Sequence, residues 1–126
     1  MVRVICVGNR FYYPDDFGMR IYEELLKRDL DDIELVEGGV GGMSLSPYFD
    51  DDVDILIVDF GNHKKKILNK KDIDEIDIKE FDHATALIYL LKTIDRDFTI
   101  YLHNGEYDID KIVNYTDEVL EVARGL

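Results

Sequence analysis

Cysteine is almost absent from this 126-residue sequence, basic residues are scarce beside acidic ones, and no long apolar run occurs. A lone cysteine, Cys6, forms no internal disulfide, which excludes a disulfide-stapled scaffold. It lies in the apolar run Val4-Ile5-Cys6-Val7, where a buried, inert thiol is expected rather than a nucleophile. No stretch approaches the roughly 18 apolar residues of a membrane span. Residues 1–4 enter a strand pattern at once, so no signal peptide is expected and the cytoplasm is the expected location.

Fifteen lysines and arginines face 28 aspartates and glutamates, a formal net charge of −13. Such a surface repels phosphate backbones, so nucleic acid is not an expected partner. A cation, or a protein with a basic segment, suits it better, and solubility alone accounts equally well for most of the acids. The basic run Lys64-Lys65-Lys66 with Lys70-Lys71 marks an exposed loop, with partner docking as the alternative. The 46% hydrophobic and 34% charged content is that of a globular protein, and 126 residues make one domain spanning 1–126.

Several motifs are also missing. No G-x-G-x-x-G joins the first strand to the first helix, and there is no phosphate-binding loop, C-x-x-C or H-E-x-x-H. Ser44 and Ser46 lack a nucleophile-elbow context.

What is present is strand–helix alternation. Residues 2–7 read as a buried strand ending in Gly8-Asn9. A loop, Phe11-Tyr12-Tyr13-Pro14, precedes a helix running from Phe17 to about Arg28, with Pro14 suited to a first turn beginning beside it. Residues 33–36 form a second strand, closed by Glu37-Gly38-Gly39-Val40-Gly41-Gly42, where the backbone must turn tightly or approach something closely. Residues 45–49 suit a brief helix capped by Ser44. Residues 53–59 are a third strand, apolar enough to be covered on both faces. Residues 67–68 suit a short edge strand, 82–94 a helix, 98–102 a strand and 110–124 a closing amphipathic helix.

This alternation predicts an α/β fold, a three-layer α/β/α sandwich around a mostly parallel twisted sheet. In such sheets ligands sit beyond the carboxyl ends of the strands, at the point where strand order reverses. A strand order beginning 2-1-3 places Asn9, Asp15, the glycine run and Asp59 along one crevice.

Asp15 and Asp16 also suit a helix cap. Asp59, following an apolar strand, is desolvated unless something positive or hydrogen-bonding faces it. His83 opens a helix and reads equally as a surface residue. Two carboxylates and an imidazole together suit a borderline divalent metal with open positions, although spacing alone does not establish that they converge. His63 reads as a loop residue or a fourth ligand, and His103 as structural.

The order of these signals resembles the hydrogenase maturation endopeptidases, which trim the C-terminal extension from the large-subunit precursor of nickel–iron hydrogenases. Val4-Ile5-Cys6-Val7-Gly8-Asn9, then Asp15 and Gly18, match the family's opening; Glu37-Gly38-Gly39-Val40-Gly41-Gly42-Met43 matches its Gly-Gly segment. Ile55-Leu56-Ile57-Val58-Asp59 matches the strand that ends in a metal-binding aspartate, and His83 the later histidine. The flanks differ: Pro14 and Asp16 stand beside Asp15 where the family has an acid and a glycine, and Phe81-Asp82 replaces Ser-Pro before His83.

The resemblance implies that Asp15, Asp59 and His83 form the catalytic and metal-recognising set. The metal is nickel, carried mainly by the hydrogenase large-subunit precursor, which is the implied partner. Asn9, Gly38, Gly39, Gly41 and Gly42 would line the path of the substrate tail. A non-catalytic metal-sensing or chaperone-like module of the same fold is the alternative, and a small-molecule-binding α/β protein a further one.

Overall fold

A computed structural model describes residues 1–77 and 85–126. Five strands form one sheet in the order β2-β1-β3-β5-β4. They are β1 (Val2–Cys6), β2 (Ile33–Glu37), β3 (Asp54–Gly61), β4 (Ile67–Asn69) and β5 (Thr99–Asn104). The first four in that order run parallel, and β4 closes the edge antiparallel to β5. The expected sandwich is therefore present, and the order does begin 2-1-3.

Every residue of β1 is buried, and β3 is buried from Ile55 to Gly61, because helices cover both faces. Along each strand successive side chains enter opposite layers. One layer gathers Ile5, Ile57, Ile100 and Leu102 with Leu45, Phe49, Ile73, Leu87 and Leu91 from α2 (Lys70–Glu75), α3 (Thr85–Thr93) and the 3-10 turn Met43–Phe49. The other gathers Val4, Cys6, Leu56, Val58 and Tyr101 with Phe17, Ile21, Leu25, Val119 and Ala123 from α1 (Phe17–Leu26) and α4 (Ile112–Arg124). On α1, Phe17, Ile21 and Leu25 recur at helical spacing and are buried, whereas Leu26 faces solvent.

Several local expectations change. The third strand does not stop at Asp59; it continues through Gly61, with Asp59 registered against Leu102 of β5. The brief helix expected at residues 45–49 is a 3-10 helix over Met43–Phe49, which contains Pro47 and has the extended Gly42 rather than Ser44 at its N-cap. Pro14 sits in a turn, joined to Tyr13 by a cis peptide bond, and α1 begins three residues later. The short edge strand expected at residues 67–68 is present as β4, and it leads into α2, which no expectation covered and which is sealed by a capping box: Asn69 accepts the Asp72 amide and Asp72 accepts the Asn69 amide. Lys65, Lys66 and Lys70 pair with Asp72, Glu118 and Asp74, so three of the five lysines in the basic run are engaged within the chain. The helix expected over residues 82–94 is described from Thr85, and its first residues, His83 among them, lie outside the described residues.

Candidate active site at the strand-order reversal

The chain reverses direction across the sheet between β1 and β3, and three loops meet at the carboxyl ends there. Backbone hydrogen bonds join the loops after β1 and β2 to each other and to the end of β1. The Gly8 amide donates to the Gly39 carbonyl at 2.7 Å and the Gly38 amide to the Cys6 carbonyl at 2.7 Å. The Asn9 amide donates to the Asp15 carbonyl at 3.1 Å. Glycine at position 8 is required by that approach, since a Cβ would lie 2.3 Å from the Asp15 carbonyl oxygen. The Gly-Asn pair thus lets the loop bearing Asp15 fold back onto the end of β1.

The glycine run divides by role. Gly39 and Gly41 take left-handed φ values of 57° and 71°, while Gly38 packs against the Cys6 carbonyl. At Gly41 a Cβ would meet Val7 Cγ1 at 2.8 Å and Leu87 Cβ at 3.5 Å. Gly42 is extended, with open space where a side chain would stand. Gly38, Gly39, Gly41 and Asn9 are therefore first of all architectural, and Gly42 is the position with room beside it.

Asp59 enters the α2–α3 layer rather than leaving the strand end. It is 4% exposed and shares a small cavity with Leu68, Ile73, Leu87, Ile88, Ile100 and Leu102. Leu87 thus touches both the Asp59 cavity and the place of Gly41. The carboxylate accepts the Phe60 amide at 2.7 Å. Burial pushes its pKa well above the ordinary carboxylate range, the Phe60 hydrogen bond opposes this, and the charge of nearby Asp15 adds to it. Asp59 and Asp15 are thus brought together electrostatically, one buried and one half-buried.

Asp16 has a different task. It stands at the α1 N-cap position, yet its side chain makes no cap hydrogen bond. Its carboxylate instead accepts the Tyr107 hydroxyl at 2.8 Å and Arg20 Nε at 3.2 Å. Burial and Asp16 push the Tyr107 hydroxyl up to about 12, so it remains a donor at neutral pH. Tyr107 carried no motif in the sequence; its partner lies 91 residues away.

The histidines sort plainly. His63 is half-buried in the loop after β3, where its Nδ1 accepts the Lys65 amide at 3.0 Å. His103 stacks on Phe17 with centroids 4.6 Å apart and its Nε2 contacts the Glu106 carbonyl at 3.0 Å, a structural setting. Among the described residues no three histidine, cysteine, aspartate or glutamate side chains are arranged to hold a metal ion. His83, the third member of the expected set, is not among those residues.

The trace is shared with known proteins. The hydrogenase maturating endopeptidase HybD from E. coli superposes with a TM-score of 0.77 at 20% identity, over 98% of this chain and 92% of that one. The chain has the fold of the hydrogenase maturation endopeptidases. The [NiFe] hydrogenase maturation protease HybD from Thermococcus kodakarensis matches at 0.63 and 15% identity, over 98% and 97% of the two chains. A hydrogenase 2 maturation peptidase from a Thaumarchaeota archaeon matches at 0.61 and 19%, over 96% of each. No protein-family model matches this sequence, and no curated protein matches it. The resemblance carried by Gly8-Asn9, Asp15, the glycine run and Asp59 is thus borne out in a maturation-endopeptidase fold that spans nearly the whole chain. No described helix is long and apolar enough to cross a membrane.

Proposed function

We propose that this chain is an endopeptidase that removes the C-terminal extension of a nickel–iron hydrogenase large-subunit precursor after nickel insertion. Asp15, Asp59 and His83 recognise the nickel, which arrives with the substrate. The observation that carries this reading is the acid pair at the β1–β3 reversal: half-buried Asp15 beside Asp59, which is buried among aliphatic side chains. The charged form of Asp59 in this setting needs a counter-charge. A divalent cation entering the crevice supplies one, lowers the pKa of Asp59 and releases its proton. Carboxylates with an imidazole suit nickel among other borderline metals, so selectivity rests with the precursor and its loading.

The metal then acts as a template that sets the scissile bond beside the crevice. The likeness to solved hydrogenase maturation endopeptidases across 98% of the chain supports the same substrate class. The open side of Gly42 offers the substrate tail a place to run along the backbone.

The test is the mass of a purified large-subunit precursor after incubation with this protein, with and without nickel loading. Loss of a C-terminal fragment in the nickel-loaded sample alone is the expected result. An unchanged mass with verified nickel loading overturns the endopeptidase reading. A nickel-dependent complex without cleavage identifies a binding module of the same fold.

A further inference from the structure

We propose that Tyr107 is a positioning residue for Asp15, gripping the loop between β1 and α1 on both sides of that carboxylate. The proposal rests on the reading of Asp15 as a nickel-recognising group. Tyr107 sits in the segment after β5 and is buried. Its hydroxyl donates to Asp16 Oδ1 at 2.8 Å, one residue after Asp15. Its backbone carbonyl accepts the Tyr13 hydroxyl at 2.6 Å, two residues before Asp15. Its ring lies 4.9 Å from that of Tyr13 and 5.5 Å from that of Phe17, centroid to centroid. One residue from a distant part of the chain therefore holds positions 13, 16 and 17.

Further fixation comes from within the loop and from Arg10, which pairs with Glu23 of α1 and Glu37 of β2. The Asp15 carbonyl accepts the Asn9 amide at 3.1 Å, and the Asp16 amide donates to the Tyr12 carbonyl at 2.9 Å. These two backbone bonds set the local turn and tie the loop to itself and to the end of β1. Tyr107 adds the tie to the β5 side of the sheet, and β5 is hydrogen-bonded to β3, which carries Asp59. The grip thus fixes Asp15 relative to Asp59 through two neighbouring strands. It also accounts for Asp16 beside Asp15: its buried carboxylate leaves the helix end uncapped and reaches Tyr107 instead. Arg20, half exposed, balances that charge from the solvent side at 3.2 Å.

Tyr107→Phe keeps the ring packing and removes the hydroxyl. A carboxylate displaced by about 1 Å costs on the order of a hundredfold in rate. The expected result with nickel-loaded precursor is kcat reduced by about ten- to a hundredfold with KM within about twofold of wild type. Asp16→Ala should reproduce the loss, whereas Asp16→Asn, which still offers an oxygen to the Tyr107 hydroxyl, should retain most of the rate. Amide hydrogen exchange supplies a readout that needs no substrate. Residues 9–16 should exchange faster in Tyr107→Phe while β3 and β5 keep their protection. Wild-type kcat and wild-type exchange in Tyr107→Phe overturn the proposal, as does a loss of kcat that merely follows the unfolded fraction. A wild-type chain that cleaves nothing overturns the functional reading instead, and the exchange of residues 9–16 then decides the grip on its own.

Discussion

Gly18 packs directly on Val7: a Cβ at position 18 would lie 2.0 Å from the Val7 carbonyl oxygen and 3.0 Å from its amide nitrogen. The second residue of α1 thus rests on the backbone at the end of β1, and this contact sets how near the helix and the Asp15 loop approach the sheet. Neither side of the contact is a flexible side chain that can swing away. Gly18→Ala should therefore destabilise the fold by at least about 3 kcal/mol, the upper range for overpacking. Urea denaturation checks this through a lower midpoint at an unchanged slope. A wild-type midpoint would mean that the helix and strand can separate at no cost.

Asp59 yields a prediction about pH. Its folded pKa is raised above the unfolded value, so above pH 4 the unfolded chain releases a proton that the folded chain keeps. Wild-type stability then falls as pH rises from the unfolded pKa towards the folded one, by up to about 1.4 kcal/mol per pH unit. Asp59→Asn is neutral throughout and retains an oxygen for the Phe60 amide. Its stability relative to wild type should grow with pH across this window in metal-free buffer, while nickel-dependent cleavage is lost. Parallel urea titrations between pH 5 and 8 decide the matter. A constant difference between the two proteins would show that Asp59 ionises in the folded state as readily as in the unfolded one.

Much of this arrangement is legible in the sequence because short apolar runs and glycines report directly on backbone. The buried runs at β1 and β3 locate the parallel core, and Gly8 and Gly41 mark close approaches that a side chain would block. The direction of Asp59 is not legible: strand alternation gives the layer it enters only once the strand is known to continue through Gly61. The capping box of Asn69 and Asp72 is a local signal, but the flanking lysines Lys70-Lys71 favour an exposed loop over a helix start. Tyr107 and Asp16 meet across 91 residues, and no local spacing encodes that contact.

Cys6 tests the two-sided burial of the sheet. Its thiol has no exposed surface, and burial pushes its pKa far up, so the reactive thiolate is suppressed. Native protein should resist alkylation by iodoacetamide at pH 8, while protein in concentrated urea reacts promptly, with one adduct by mass spectrometry. Labelling of the native chain at the rate of a free thiol would show that α1 and α4 leave this face of β1 open.

Gly41 and Gly42 are neighbours with opposite expectations. Gly41 has φ of 71°, and a Cβ there would press on Val7 Cγ1 at 2.8 Å and approach Leu87. Gly41→Val should therefore destabilise the fold by about 2–4 kcal/mol, combining left-handed strain with overpacking. Any loss of cleavage in it would follow from misfolding and would say nothing about substrate. Gly42 is extended with open space beside it, so Gly42→Val should change stability by no more than about 0.5 kcal/mol. If the precursor tail runs along this backbone, the valine obstructs it, and KM should rise with kcat held near wild type. Thermal melts of both variants, with precursor cleavage measured for the second, separate architecture from substrate contact. Normal KM in a fully folded Gly42→Val protein would place the tail elsewhere on the crevice rim.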